Sequence, residues 1–145
     1  MNWQGYFLML ARGVSLKSKD PSTQVGAIAV GEDREILETG YNGLPRGVKD
    51  LPERMERPEK YLWTAHAEAN LVYTAARQRL KGSTVYVTHL CCNQCAIALI
   101  NAGVKRVVVG GGETSMSPEL FDTAVTMFEE AGVELTFAEE HDVGC

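Results

Sequence analysis

One histidine and two cysteines have the residue types and the spacing of a zinc site. His66 is followed two residues later by Glu68, and Cys92 and Cys95 form a Cys-x-x-Cys pair further along the chain. Cysteine thiolates and histidine nitrogens are typical zinc ligands, and a catalytic zinc site leaves its fourth position open for water or substrate. A carboxylate beside that position can carry protons to and from the water. The pattern therefore predicts a hydrolytic zinc site with Glu68 as its proton carrier.

The two cysteines are also compatible with two roles that involve no catalysis. Free cysteines are often small buried hydrophobic residues that bind nothing. A purely structural zinc is the second possibility, and it needs a fourth protein ligand, for which Cys91 and His89 are the available residues. The histidine and the carboxylate that precede the cysteine pair favour the catalytic site over both.

Both halves of the metal motif are predicted at the starts of helices. A helix over residues 65–80 places His66 and Glu68 in its first turn, and a helix over residues 92–102 does the same for Cys92 and Cys95. The positive end of a helix dipole favours thiolates over thiols. A spacing of three residues puts the two cysteines on one face of their helix, so both can bind the same ion.

The remaining elements follow from apolar spacing and from turn residues. An amphipathic helix over residues 2–18 is ended by Pro21, and a predicted hairpin precedes a long loop over residues 42–61 that is rich in Gly, Pro and charge. In a further helix Ser117 is the expected N-cap and Pro118 the first residue. This helix covers residues 117–131. The predicted strands cover residues 25–30, 36–41, 84–88, 106–109 and 133–137, and a tight loop is expected at Gly110–Gly112.

The order of elements predicts the fold class. From residue 65 onward helices and strands alternate, which indicates crossover connections and parallel strands. The preceding hairpin adds antiparallel strands. We therefore expect one α/β domain over residues 1–145, a three-layer α/β/α sandwich around a five-stranded mixed sheet.

Composition excludes several functional classes. The 145 residues carry a net charge of −5, which argues against broad nucleic-acid binding but allows a small phosphorylated substrate. No apolar run approaches the length of about 20 residues that spans a bilayer. No signal peptide opens the chain and three of the four cysteines lie close together, so we expect a cytoplasmic protein with reduced thiols. Cys145, the last residue, is predicted to be an exposed bystander.

Four blocks of sequence resemble the cytidine and deoxycytidylate deaminase superfamily. They are residues 18–27 (SKDPSTQVGA), 40–47 (GYNGLPRG), 66–70 (HAEAN) and 92–108. The zinc motif is common to the superfamily, whereas the Gly-Tyr-Asn-Gly block and Asn70 resemble the deoxycytidylate (dCMP) branch. The resemblance implies a cytidine deaminase-like sandwich and zinc held by His66, Cys92 and Cys95. It also implies a zinc-activated water that attacks C4 of cytosine, with Glu68 moving the protons, so that dCMP gives dUMP and ammonia.

The resemblance also implies roles in substrate binding. Asn42 stands where the superfamily has an asparagine that bonds the sugar 3′-hydroxyl, although a turn residue is the alternative. The backbone of Ala67 is expected to meet the base. His89 lines the base pocket or is an ordinary loop histidine.

Two cations and one amide in the same region each have two possible roles. Arg46 and Lys49 are the cations nearest to Asn42 in sequence, and they meet a 5′-phosphate or are solvated loop charges. Asn70 braces the loop that carries Asn42 or is an ordinary polar helix residue.

The chain departs from the family pattern at two places. Cys91 replaces the proline that precedes the first zinc cysteine, and it is either a harmless replacement or a competing ligand. The segment 110–118 lacks the tyrosine and tryptophan that dCMP deaminases share there, which makes phosphate recognition the less certain part of the resemblance.

Regulation is implied by the resemblance alone. Similar dCMP deaminases are hexamers that dCTP activates and dTTP inhibits, with Mg²⁺ accompanying the triphosphate. The corresponding effector and interface residues are Gly40, Tyr41, Asn42, Gly43 and Arg77. A solvated helix charge is the alternative for Arg77.

Two functions compete with dCMP deamination. A tRNA adenosine or other base deaminase would share the zinc motif, but the negative charge and Asn70 disfavour it. A non-catalytic, zinc-stabilised nucleotide sensor is the second competitor, and Glu68 disfavours it because a sensor needs no proton carrier.

Overall fold

A five-stranded mixed sheet forms the middle layer of the computed structural model, which describes residues 1–113 and 117–138. The strands are β1 (Gly26–Val30), β2 (Ile36–Tyr41), β3 (Thr84–His89), β4 (Arg106–Gly112) and β5 (Glu134–Phe137). Their order across the sheet is β2-β1-β3-β4-β5. Strand β1 is antiparallel to both of its neighbours, whereas β3, β4 and β5 are parallel. The predicted five-stranded mixed sheet is confirmed.

Helices cover both faces of this sheet. The helices are α1 (Trp3–Ser15), α2 (Lys60–Trp63), α3 (Ala67–Leu80), α4 (Asn93–Asn101) and α5 (Pro118–Ala131). Helix α1 packs on one face, and the buried residues of α3, α4 and α5 share a core with the other face. Alternate residues of β1 point to opposite faces: Ala27 and Ala29 pack in the core with α3, α4 and α5, and Ile28 packs in the core with α1. The apolar run of β4 follows from burial on both faces, and the three-layer prediction is confirmed.

Helix boundaries differ from the predicted ones where local hydrogen bonds change. Helix α1 ends at Ser15 rather than at residue 18, because the N–H groups of Leu16, Lys17 and Ser18 each donate to a carbonyl three residues back. Such bonds tighten the last turn of a helix. Helix α3 begins at Ala67 rather than at residue 65, because Ala65 instead exchanges backbone hydrogen bonds of 3.0 and 3.1 Å with Gly43.

Two segments predicted as irregular contain regular structure. The loop 42–61 includes a short 3₁₀-helix, Pro52–Met55, and ends in helix α2. The predicted tight loop at 110–112 is wrong, since β4 continues to Gly112 and pairs there with His89 of β3. Ser117 precedes Pro118 as expected, but its side chain makes no capping hydrogen bond. Cys145 lies outside the described residues.

No helix within residues 1–113 and 117–138 is both long enough and apolar enough to cross a bilayer.

One end of the sheet gathers the sequence blocks that carry the zinc motif and the Gly-Tyr-Asn-Gly pattern. Strands β2 and β3 both run to this end, because each is antiparallel to β1, which starts there. The segment before β1, the loop after β2 and the start of α4 after β3 therefore lie together. Ligand sites of α/β proteins typically form at the carboxyl ends of strands.

Gly40 is required for the contact between β2 and α3. A Cβ atom at this position would lie 2.5 Å from the carbonyl oxygen of Ala67 and 2.8 Å from the nitrogen of Leu71. Both are backbone atoms of α3 that cannot move without the helix. Gly40 therefore has a structural role that the sequence pattern alone did not indicate.

We expect Gly40→Ala to destabilise the protein by about 1–3 kcal/mol, the usual cost of overpacking. Gly13→Ala is the matched control, since nothing lies within 4 Å of its added methyl group inside helix α1. That change should be neutral or stabilise by about 0.5–1 kcal/mol. Urea denaturation of both variants measures the difference, and equal midpoints would contradict the packing argument.

Candidate active site

His66, Cys92 and Cys95 converge as the sequence predicts. The Nδ1 atom of His66 lies 3.3 Å from the sulfur of Cys92 and 3.3 Å from the sulfur of Cys95. All three donor atoms lie within 4.8 Å of one another. Two ligand atoms of a tetrahedral zinc site, one sulfur and one nitrogen, are about 3.5 Å apart, given the usual zinc–ligand bond lengths. The donor set and its spacing therefore fit zinc.

Two helix starts hold these ligands. His66 is the N-cap of α3 and Cys92 is the N-cap of α4, and both have extended backbone conformations. Cys95 follows in the first turn of α4. The predicted helices began at residues 65 and 92, two residues and one residue before the observed starts of α3 and α4. The hydrogen bonds from Cys95 and His66 lower the pKa of Cys92 to about 4. The same contact with Cys92 raises the pKa of His66. The lowered pKa favours the thiolate form of Cys92, the form that binds zinc.

No fourth protein ligand completes the cluster among residues 1–113 and 117–138. Neither Cys91 nor His89, the two residues that could have supplied one, belongs to the group of converging donor atoms. A three-ligand site leaves a position open, which is typical of catalytic rather than structural zinc.

Glu68 lies in the same pocket as His66 and Cys92. Its side chain is almost completely buried, with 3 % of the residue exposed. Burial raises the pKa of this carboxyl group, and hydrogen bonds, including one with the Cys91 thiol, act in the opposite direction. A raised pKa brings a carboxyl group closer to the range in which it can both accept and release a proton near neutral pH.

Cys91 is fully buried in the core beside the metal ligands. Burial raises the pKa of its thiol well above the ordinary value, and the neighbouring Glu68 carboxyl adds to this effect. Of the two alternatives for Cys91, the structure supports a packing residue rather than a competing ligand, because Cys91 does not belong to the group of converging donor atoms.

Asn42 lies on the wall of the same pocket, but its side chain is held by protein groups. Its Oδ1 accepts from Val25 N at 2.8 Å, and its Nδ2 donates to Thr23 O at 2.9 Å. Ser18 Oγ donates to the Asn42 carbonyl at 2.8 Å. Asn42 therefore fixes the segment before β1 against the loop after β2 at the pocket, whatever else it contacts.

A buried ion pair that the sequence-based interpretation missed supports the same wall. Lys60 Nζ donates to Asp20 Oδ2 at 2.9 Å and to Ser22 Oγ at 3.0 Å. The side chains of Lys60 and Asp20 are only 8 % and 7 % exposed. Burial raises the pKa of the Asp20 carboxyl, but hydrogen bonds from Lys60, Ser22 and Thr23 outweigh burial, so the pKa lies below its ordinary value.

Part of this network could have been found in the sequence. Asp20 Oδ1 accepts from the backbone N–H groups of Ser22 and Thr23, at 2.9 and 3.2 Å. An aspartate that precedes Pro-Ser-Thr is typical of such a side-chain turn. Lys60, in contrast, falls in a charged stretch that the sequence predicts to be a loop, and nothing in its local sequence distinguishes it from a solvated lysine.

Three residues predicted to bind substrate do not line this pocket. Arg46 is exposed, donates to Thr74 Oγ1 at 3.3 Å and lines a separate groove. Lys49 is exposed, and Ala67 is fully buried. The loop after β2 bridges to Ala65 at Gly43, and Arg46 beyond this bridge lines the separate groove. The cations that do line the pocket are Arg57 and Lys60.

The Gly-Tyr-Asn-Gly block is tied to the start of α3. Asn70 Nδ2 donates to the carbonyl of Tyr41 at 2.9 Å and to that of Ala65 at 3.3 Å. The prediction that Asn70 braces this loop is confirmed. Arg77, further along α3, donates through Nε to the carbonyl of Asn101 at 3.2 Å, at the end of α4.

The comparisons with known proteins agree with this geometry. Residues 1–111 match the family model of the cytidine and deoxycytidylate deaminase zinc-binding region. The chain is 37 % identical to the deoxycytidylate deaminase of Mus musculus over 139 residues, which cover 92 % of this chain and 78 % of the mouse protein. It is 40 % identical over 138 residues to a deaminase from Aliivibrio fischeri, with 93 % and 92 % of the two chains covered.

A solved structure has the same architecture. The dCMP deaminase of the cyanophage S-TIM5, in its apo form, is 26 % identical and superposes with a TM-score of 0.72, covering 95 % of this chain and all of that chain. Its complex with dCMP and dUMP superposes with a TM-score of 0.74 at 24 % identity, over 95 % and 99 % of the two chains. At this lower identity, the similarity to the complex shows a shared fold only.

We expect Cys92→Ala to lose bound zinc, because only two ligands remain. Cys91→Ala is the matched control on the neighbouring residue and should retain one zinc ion per chain, since its thiol lies outside the ligand set. Metal analysis of the purified variants by mass spectrometry distinguishes them. Loss of zinc from the Cys91 variant would show that this thiol is a ligand after all.

Proposed function

Since the chain belongs to the cytidine and deoxycytidylate deaminase family, we propose that it hydrolyses dCMP to dUMP and ammonia. One observation carries the proposal: a buried carboxylate, Glu68, lines the same pocket as His66 and Cys92, and these two residues converge with Cys95 in a three-ligand group that leaves one zinc position open. The enzymes of this family are hydrolytic deaminases, and a substrate amine at C4 is replaced by oxygen from water.

His66, Cys92 and Cys95 would hold the zinc ion, which, when bound, lowers the pKa of a water molecule and so supplies a nucleophile near neutral pH. Glu68 performs the proton transfers. It accepts the proton released by the attacking water, delivers a proton to N3 of the base and assists departure of the amine as ammonia. Its burial excludes bulk water from these steps, and its raised pKa suits a group that must both take up and release a proton.

The choice of a deoxycytidine nucleotide rests on the relatives and on charge. The similar mouse protein is a deoxycytidylate deaminase, and the S-TIM5 enzyme has been crystallised with dCMP and dUMP. A net charge of −5 disfavours a large nucleic-acid substrate such as tRNA. The buried Glu68 disfavours a zinc-stabilised sensor, because a sensor gains nothing from the cost of burying a carboxylate.

Arg57 is the residue that we propose for the 5′-phosphate. Two cations line the pocket, Arg57 and Lys60. Arg57 is exposed and can meet a charged group that enters from solvent, whereas Lys60 is buried. A guanidinium group can bond phosphate through two parallel N–H groups. Arg57 therefore replaces Arg46 and Lys49 in this role, because those two lie outside the pocket.

We extend the proposal to sugar recognition and regulation. Asn42 on the pocket wall would approach the sugar, with His89 on a neighbouring wall. Activation by dCTP, inhibition by dTTP, Mg²⁺ with the triphosphate and assembly into a hexamer follow from the resemblance at Gly40–Gly43 and Arg77. A nucleotide substrate and reduced thiols suit the cytoplasm, where we propose that the enzyme acts.

We expect zinc-loaded protein to release ammonia from dCMP and to prefer dCMP to deoxycytidine and cytidine. Glu68→Gln should keep its zinc and lose at least about 100-fold in kcat, the lower range for removal of a general acid–base group. Ammonia release and metal analysis measure both. Addition of dCTP or dTTP to the same assay tests regulation. No turnover of any cytosine nucleotide by the zinc-loaded protein would refute the function.

We expect Arg57→Ala to raise the KM for dCMP about 10-fold or more and to leave turnover of deoxycytidine unchanged, because only dCMP carries the phosphate. Arg46→Ala provides the comparison, since its guanidinium group lies in a different groove. Steady-state kinetics with the two substrates decide the matter. A larger effect at Arg46 would restore the expectation drawn from the sequence.

A further inference from the structure

His89 stands on the wall between the active-site pocket and a second cavity. The pocket with Glu68 and the second cavity both include His89 among their lining residues. The second cavity measures about 450 Å³ and is also lined by Arg12, Gln24 and Gly112. This volume is within the range of ligand sites. The imidazole ring of His89 therefore borders both spaces.

The neighbouring residue Thr88 contacts one ring nitrogen of His89. Gly26 N–H donates to Thr88 Oγ1 at 3.1 Å, and the same oxygen lies 2.6 Å from His89 Nδ1. A threonine hydroxyl has one hydrogen to donate. Within residues 1–113 and 117–138 the structure records no other acceptor for this hydrogen. Donation to Nδ1 satisfies both groups and leaves the imidazole hydrogen on Nε2.

Burial supports a neutral ring. It lowers the pKa of His89 below the ordinary value, so the charged form is disfavoured at neutral pH. A neutral imidazole with a bonded Nδ1 has one remaining polar function, the Nε2–H donor.

Gly112 on the neighbouring strand lies close to the His89 ring and leaves no room for a side chain. A Cβ atom at Gly112 would lie 2.5, 2.6 and 2.7 Å from Cε1, Nε2 and Cδ2 of His89. Because these three distances are nearly equal, the added methyl group would sit over the face of the ring rather than beyond its Nε2–H bond. The glycine thus lets the strand backbone cover the ring face without blocking the donor. Nothing lies within 4 Å of a Cβ atom at Gly111.

We propose that His89 is a neutral imidazole in the Nε2–H tautomer, which donates a hydrogen bond to an acceptor oxygen of the nucleotide in the active-site pocket. This inference rests on the proposed function for the identity of its ligand. His89 contacts the substrate, whereas Thr88 and Gly112 are positioning residues that act through the ring. A contact to a part of the substrate that does not react contributes equally to the ground state and the transition state, so its loss raises KM and leaves kcat unchanged.

The tautomer is measured without turnover. Long-range ¹H–¹⁵N NMR of the zinc-loaded protein at about pH 7.5, where the ring is neutral, separates protonated from unprotonated ring nitrogens, and the His89→Gln spectrum identifies His89 among three histidines. We expect an unprotonated Nδ1 and a protonated Nε2. Thr88→Val should give a mixture of tautomers, and Thr88→Ser, which keeps the hydroxyl, should not. A protonated Nδ1 in the wild-type protein would overturn the proposal.

Kinetics with dCMP test the donor. His89→Met, which keeps the side-chain length but has no donor, should raise KM about 10-fold with kcat within about twofold of the wild type, the loss expected for one hydrogen bond. His89→Gln, which places an N–H group near the Nε2 position, should recover most of this loss. An unchanged KM in the methionine variant would overturn the proposal.

A matched pair of glycine substitutions tests the positioning of the ring. Gly112→Ala should raise KM because its methyl group displaces the imidazole, and Gly111→Ala on the same strand should behave as the wild type. Equal effects of the two substitutions would contradict the role of Gly112. If the wild-type protein fails to deaminate any nucleotide, the proposed function is refuted, while the tautomer remains measurable by NMR.

Discussion

The direction of three strands is the constraint on which the site depends. Because β1 is antiparallel to both β2 and β3, those two strands end at the same end of the sheet at which β1 begins. Helices α3 and α4 start near that end, and their N-caps are His66 and Cys92. A single reversal of strand direction would place one of these helix starts at the opposite end of the molecule. The metal ligands, the proton carrier and the pocket walls are therefore a consequence of the topology.

The pocket wall formed by Asp20 and Lys60 is held by polar groups rather than by apolar packing. Both residues are nearly inaccessible, and removing one partner of such a pair leaves an uncompensated charge in the interior at a cost of about 3–5 kcal/mol. Replacement of both partners by apolar residues could preserve stability, but it would also remove the group that orders the turn at Ser22 and Thr23. The Asp20 carboxylate thus takes part in both the ion pair and the turn.

The sequence predicted site residues best where a reactive residue type lies at a recognisable helix start. His66, Cys92 and Cys95 were identifiable because their residue types are rare and helix starts are marked by local patterns. Asn70 was placed correctly since it lies one turn beyond His66. Arg46 and Lys49 lie near Asn42 in sequence but do not line the pocket, and proximity in sequence alone could not indicate this. The pairing of Asp20 with Lys60 joins two segments far apart in sequence, and no local pattern specifies such a contact. The three glycines at 110–112 resemble a turn, and only their pairing with β3 makes them a strand.

The sharing of one metal site between the starts of α3 and α4 has a thermodynamic consequence. His66 and the two cysteines are separated in the chain by helix α3 and strand β3, so an unfolded chain offers the cysteine pair but not the complete ligand set. An ion that binds the folded state more tightly than the unfolded state shifts the folding equilibrium by mass action. The melting temperature of the protein is thus tied to the concentration of free zinc, and a cell that limits zinc would reduce the amount of folded enzyme as well as its activity.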